Sequence, residues 1–97
     1  MKKISAIVVN WNGKEVLSGC LRSLLDQDYE DFEILVVDNG SEDGSQDLVK
    51  KEFPSVKLVE NEVNLGFGPA VNKGFEKAEG DYFIFLNIAL LKFSIIN

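Results

Sequence analysis

The chain has 97 residues, 45% hydrophobic and 27% charged, with a formal net charge of −6 and a pI near 4.5. That is enough for one ordinary globular domain, and it excludes the basic face of a nucleic-acid binder. There is no histidine and one cysteine, so imidazole acid–base chemistry and an internal disulfide are excluded as well.

Taken in order, Ile4 to Val9 (ISAIVV) reads as a buried strand, broken by Asn10-Trp11-Asn12-Gly13. Over residues 14–27, Leu17, Cys20, Leu21, Leu24 and Leu25 recur at amphipathic-helix spacing, and Val16 widens the stripe. Cys20 on that face is expected to be an inert, buried thiol. A short acidic link leads to Ile34-Leu35-Val36-Val37, an unbroken apolar run that predicts a strand covered on both faces. A second helix is expected from about Asp43 or Ser45 to Phe53, with the Ser41 hydroxyl and the following acids at its N-terminus. Pro54 ends it. VKLVE (56–60) predicts a short strand near the sheet edge, and residues 61–65 a polar loop. Phe67, Ala70, Val71, Gly74, Phe75 and Ala78 predict a third helix over 66–79, with Pro69 in its first turn and Gly80 as its stop. DYFIFLN (81–87) predicts a fourth strand. The alternation predicts an α/β fold: a Rossmann-like three-layer α/β/α arrangement with a mostly parallel sheet of about four strands.

The segment Asp38-Asn39-Gly40-Ser41 follows the central strand. In open α/β sheets ligands bind beyond the C-terminal ends of strands, so Asp38 is expected at the mouth of a crevice. The same residue types form ordinary turns, and a plain turn is the alternative. Residues 88–97 (IALLKFSIIN) form an apolar tail with one charge, Lys92. The tail is expected to pack back on the domain or against a second copy, giving a homo-oligomer. The N-terminus lacks the long apolar core of a signal peptide. No apolar stretch reaches the length of about 20 residues needed to span a bilayer. A cytoplasmic location is the expectation.

Four segments in this order and spacing, IVVNWNGKEVLSGCLRSLLDQ, FEILVVDNGSEDGS, ENEVNLGFGPAVNKGFEKAEGDY and FIFLN, resemble the N-terminal half of a family 2 glycosyltransferase of the rhamnosyltransferase-like branch. The resemblance runs over about residues 4–87 and implies a truncated GT-A fold, with residues 1–87 as a nucleotide-sugar-binding subdomain and 88–97 as a divergent tail. It implies a nucleotide-diphosphate-sugar donor lying against Val9, Asn10 and Asn12 at the exit of the first strand. Asp38, with Asn39 and Ser41, would meet the base or ribose, where a carboxylate accepts charge-assisted hydrogen bonds. Asn64, Gly66 and Asn72 match further family positions; Gly66 would let the backbone approach the ligand and Asn72 would orient the loop, a plain helix-surface amide being the alternative. Asn87 matches the first residue of the family's metal motif. The intact family uses a divalent cation, Mn²⁺ or Mg²⁺, to neutralise the leaving diphosphate. In this chain Ala89 stands where the metal-binding acid belongs, and no Asp or Glu follows Asp81, so no cation is expected to bind. The resemblance therefore implies the donor-binding half of an inverting glycosyltransferase, inactive alone, with no catalytic residue assigned. Two other readings stand beside it: a non-catalytic nucleotide-binding or oligomeric interaction module, and a receiver-like domain using Asp38 in an acidic pocket.

Overall fold

A computed structural model describes residues 2–88. Four strands, β1 (Ile4–Asn10), β2 (Phe32–Asn39), β3 (Lys57–Asn61) and β4 (Tyr82–Asn87), alternate with three helices, α1 (Lys14–Leu25), α2 (Ser45–Glu52) and α3 (Phe67–Lys77). All strand pairs are parallel, in the order β3-β2-β1-β4. The chain thus steps outward from β1 through β2 to β3, then returns to place β4 on the other side of β1. That reversal is the topological switch point, where an open α/β sheet leaves a crevice.

The strands' two-residue period sorts the core into two layers. Ala6, Val8, Ile34 and Val36 face α1 and α2, meeting Leu17, Leu21, Leu48 and Val49. Ile7, Val9, Leu35 and Val37 face Ala70 of α3. The three-layer α/β/α architecture and the edge position of β3 are as the sequence predicts.

Several details differ. α1 stops at Leu25, and its stripe is narrower than its apolar residues suggest: Leu17 and Leu21 are buried, Cys20 and Leu24 half-buried, Val16 and Leu25 exposed. Burial pushes the Cys20 thiol pKa up, consistent with an unreactive group. Ser41 does not cap α2; the cap position is Gly44, and the Asp43 carboxylate instead accepts from the Ser45 N–H (3.1 Å) and hydroxyl. α3 rests on the sheet through small residues, Ala70 and Gly74, which leaves Phe67 and Phe75 exposed. Gly80 does not end α3, whose cap is Ala78 in extended conformation. Gly80 is required by contact instead: its N–H donates to Ser5 Oγ (2.9 Å), and a Cβ there would lie 2.4 Å from that oxygen. Ile88, assigned to the tail by sequence, belongs to the core. It is buried in the α1 layer and its N–H continues the β1 ladder to the Val9 carbonyl at 3.0 Å. The rest of the tail, including Ala89, lies outside the described residues. Among the described residues, no helix is long and apolar enough to cross a membrane.

Candidate functional site

Each of the four strands ends in asparagine: Asn10, Asn39, Asn61 and Asn87. The parallel register sets Asn10 beside Asp38 and Asn39 beside Asn61. Where apolar alternation stops, both faces of the sheet therefore finish in polar side chains that meet across strands, at the edge where a ligand would enter.

On the α1/α2 face the centre is Asp38. Its side chain points with Ile34 and Val36, so α2 and the exit loop of β1 close over it and leave it 1% exposed. The expected position open at the crevice mouth is thus replaced by a buried one. Its Oδ1 accepts from Asn10 Nδ2 (3.0 Å) and the Ser41 hydroxyl (2.7 Å). Its Oδ2 accepts from the Ser41 N–H (2.9 Å) and Gln46 Nε2 (2.7 Å). A carboxylate has about four lone-pair sites, so a ribose hydroxyl or base N–H would have to displace one of these internal donors. The Ser41 hydroxyl also accepts from the Asn12 N–H (2.8 Å), and the Asn12 Oδ1 accepts from the Glu42 N–H (2.7 Å). Asn12 itself has φ +53°, a left-handed conformation that asparagine tolerates. Together these bonds tie the exit loop of β1, the exit loop of β2 and the start of α2 into one body.

Asn39 does the same on the α3 face. Its Oδ1 accepts from Asn61 Nδ2 (2.9 Å) and the Leu65 N–H (3.3 Å), and its Nδ2 donates to the Gly66 carbonyl (3.1 Å). Asn64 Oδ1 accepts from the Gly66 N–H (2.8 Å), bending the loop into α3. Gly66 holds φ +86°, ψ 173°, a combination nearly confined to glycine. Beside these loops lies an open polar cleft of about 580 Å³, lined by residues 40–42, Gln46 and residues 60–64.

Of the residues singled out by sequence, the structure joins Asn10, Asn12, Asp38 and Ser41 in one hydrogen-bonded cluster, and Asn39, Asn64 and Gly66 in an adjoining one. Asn87 sits at the end of β4, in register with Val9. The Val9 side chain is buried in the α3 layer, as its place in the period-two pattern requires, and contributes core packing. Asn72 is exposed on α3; at 100° per residue it faces away from the sheet side held by Ala70 and Gly74. That outer face is where the surface-amide alternative puts it. Sequence reasoning missed Gln46 and Asn61. Asn61 was recoverable as a polar residue in register with Asn39; Gln46 carries no local signal beyond its place in the first turn of α2.

Among the described residues the donor set does not fit a divalent cation. Among the described residues, no group of three or more His, Cys, Asp or Glu side chains is placed to hold a metal ion, and the lone pairs of Asp38 are occupied internally.

Residues 5–87 match the sequence profile of Glycosyl transferase family 2. Curated relatives include a teichoic acid poly(glycerol phosphate) polymerase of Staphylococcus epidermidis, 33% identical over 90% of this chain and 13% of its own length. A poly(ribitol-phosphate) beta-glucosyltransferase of Bacillus spizizenii is 37% identical over 88% of this chain and 14% of its own. Among solved structures, S. aureus TarS in complex with UDP superposes with a TM-score of 0.81 at 32% identity, over 89% of this chain and 27% of that one. The mannosyltransferase PcManGT from Pyrobaculum calidifontis, in complex with GDP-Man and Mn²⁺, gives 0.82 at 26% identity, over 90% and 27%. The chain thus spans between 13% and 27% of the length of these proteins.

Proposed function

This chain belongs to glycosyl transferase family 2, and on that premise we propose that it is the donor-binding part of an inverting glycosyltransferase, taking a nucleotide-diphosphate sugar at the C-terminal edge of its sheet. One observation carries the reading: three separate strand exits are locked together by Asp38 and Asn39 into a single polar rim. A rim so over-determined is preorganised, which reduces the ordering cost of binding. UDP and GDP-Man in complexes of the same fold lend support.

In this reading Asn10, Asp38, Asn39 and Ser41 are positioning residues, and the ligand meets the loop surfaces they hold, at Asn12, Asn64 and Gly66. A buried carboxylate behind the rim suits a polyanionic donor better than an open one would, because its charge is already engaged by four donors. The transfer step is a displacement at the anomeric carbon, with a base deprotonating the acceptor hydroxyl. No residue of this chain is assigned that role, and with Ala89 in place of an acid the chain is proposed to bind donor without transferring the sugar and without a cation.

Calorimetric titration of UDP and GDP, with and without Mn²⁺, tests this. The expected result is weak binding, on the order of 1 mM, changed little by Mn²⁺. Absence of binding by either nucleotide overturns the donor reading; strong dependence on Mn²⁺ overturns the cation-free part. The second reading, a non-catalytic interaction module, is favoured by the exposed apolar surface of β4.

A further inference from the structure

Two members of the Asp38 cluster, Ser41 and Gln46, also line the open cleft beside it. The Ser41 hydroxyl is turned inward, donating to Asp38 (2.7 Å) and accepting from Asn10 Nδ2 (3.3 Å) and the Asn12 N–H (2.8 Å). Gln46 is placed otherwise. It stands half-buried in the first turn of α2, and both hydrogens of its amide nitrogen are engaged. Nε2 donates to Asp38 Oδ2 (2.7 Å) and to the Ser41 carbonyl (2.8 Å). Those two acceptors fix which way the amide points. Turned over, Oε1 would face a carboxylate oxygen and a carbonyl oxygen. In the orientation both bonds require, Oε1 accepts from no group among the described residues, and it is not sealed from solvent. The carboxylate behind it polarises the amide and makes Oε1 a stronger acceptor. The acceptor character of buried Asp38 is thereby carried to the cleft wall without its charge.

The cleft decides what can meet that oxygen. Its volume of about 580 Å³ falls within the roughly 300–1,000 Å³ of small-molecule sites. Glu42, Glu60 and Glu62 line it, Val63 adds an apolar wall, and no lysine or arginine is among its lining residues. A diphosphate is repelled there; the uncharged end of a nucleotide is not.

We propose that Gln46 selects the nucleobase of the donor, its Oε1 accepting from a ring N–H. This rests on the donor reading above and adds to it which bases are taken. Uracil presents N3–H and guanine N1–H on the edge that a protein reads when a base is out of its stack. Cytosine N3 and adenine N1 are bare acceptors at the same place and set lone pair against lone pair. A site that offers one acceptor rejects an analogue without the matching donor, because the acceptor is then desolvated and unpaired. The Gln46 amide therefore favours uridine and guanosine diphosphates over their cytidine and adenosine counterparts.

NMR titrations of the full chain with UDP, CDP, GDP and ADP test the proposal. The expected result is that UDP binds about fivefold tighter than CDP, or GDP than ADP, the gap appearing in the pair whose ring size the cleft accepts. Gln46→Met keeps the length of the side chain and removes the amide. It brings the two members of that pair within about twofold of each other. A Gln46 that only supports the loops would weaken both by one factor and keep their ratio, and that result overturns the proposal. The unaltered chain decides the matter even if Gln46→Met folds poorly or binds nothing. There UDP moves the Gln46 side-chain amide resonances, and N3-methyl-UDP, whose donor is blocked, does not move them at equal occupancy. Resonances that both ligands move alike, or that neither moves, overturn the proposal. Equal affinity within both pairs overturns it while the donor reading stands; failure of every nucleotide to bind overturns both.

Discussion

Strand β2 carries one carboxylate near its start and another near its end, and the two are satisfied by opposite means. Glu33, with a side chain 9% exposed, pairs with Lys57 at 2.8 Å and accepts from the Ser5 hydroxyl (2.5 Å) and the Glu79 N–H (2.6 Å). Burial pushes its pKa up, but those hydrogen bonds and the lysine charge outweigh burial and hold it down at about 2. Asp38, 1% exposed, accepts four hydrogen bonds from neutral donors and forms no ion pair among the described residues. The Glu33 end uses a cation to pin the link between α3 and β4 against β1, where Gly80 also donates to Ser5. The Asp38 end uses amides, a hydroxyl and a backbone N–H to shape loops. A charge-paired carboxylate makes a fold clamp; a neutrally solvated one makes a rim that a polyanion meets without displacing a cation.

The largest break in that comparison is Asp38→Ala. It removes four hydrogen bonds and leaves Asn10, Ser41 and Gln46 donors facing a void. Unsatisfied buried groups cost roughly 1–3 kcal/mol each, partly relieved by water, so a loss of about 3–5 kcal/mol in urea unfolding is expected, with nucleotide binding abolished. Asp38→Asn keeps an acceptor at one oxygen and is expected to lose about half as much. If Asp38→Ala abolished binding while stability stayed at the wild-type value, Asp38 would be a ligand contact and not a support for the loops.

At the other end, Glu33 predicts an acid-sensitive contribution to stability. Its pKa falls from an ordinary 4.5 to about 2 in the folded chain. A depressed carboxyl stabilises the fold in full above the unfolded value and loses that contribution as pH drops through the folded one. The window is therefore between about pH 4.5 and pH 2, and because solvent screens the exposed Lys57 partner the amount is about 1–2 kcal/mol. Asp43, also held low because hydrogen bonds from Ser45 and the Lys14 N–H outweigh its burial, changes in the same direction. Urea unfolding at about pH 6 and about pH 3 should show a smaller acid loss for Glu33→Gln than for the unaltered chain. Equal losses would mean that Glu33 is not the clamp described.

Much of this was legible in the residues. The unbroken apolar runs of β1 and β2, the short charged β3 and the helical stripes specify a parallel three-layer sheet, because each period matches one layer. The motif DNGS marks the right place, but not which way its side chains point. Asp38 and Asn39 are consecutive in a strand, so they must project to opposite faces, and each ends up beneath a different helix. Tertiary cover decides exposure, and local spacing does not report it. The same limit explains Leu25 and Phe75: an apolar residue at helical spacing is buried only if a neighbouring layer reaches it. Among the described residues no second helix lies beside α3 over the outer half of β4, and Phe75 stays half-exposed.

Asn72→Ala should have the smallest effect, and it sharpens the comparison by testing a residue outside both ends of β2. Asn72 matches a family position in sequence, yet the pitch of α3 turns it outward, away from the sheet. A side chain there supports neither the rim nor the core. Alanine is the better helix former by up to about 0.7 kcal/mol, so the variant should match or slightly exceed the unaltered chain in urea unfolding. UDP binding should be the same within twofold. A large loss of binding at unchanged stability would require the ligand to reach across the outer face of α3. The preorganised rim would then account for only part of the donor site.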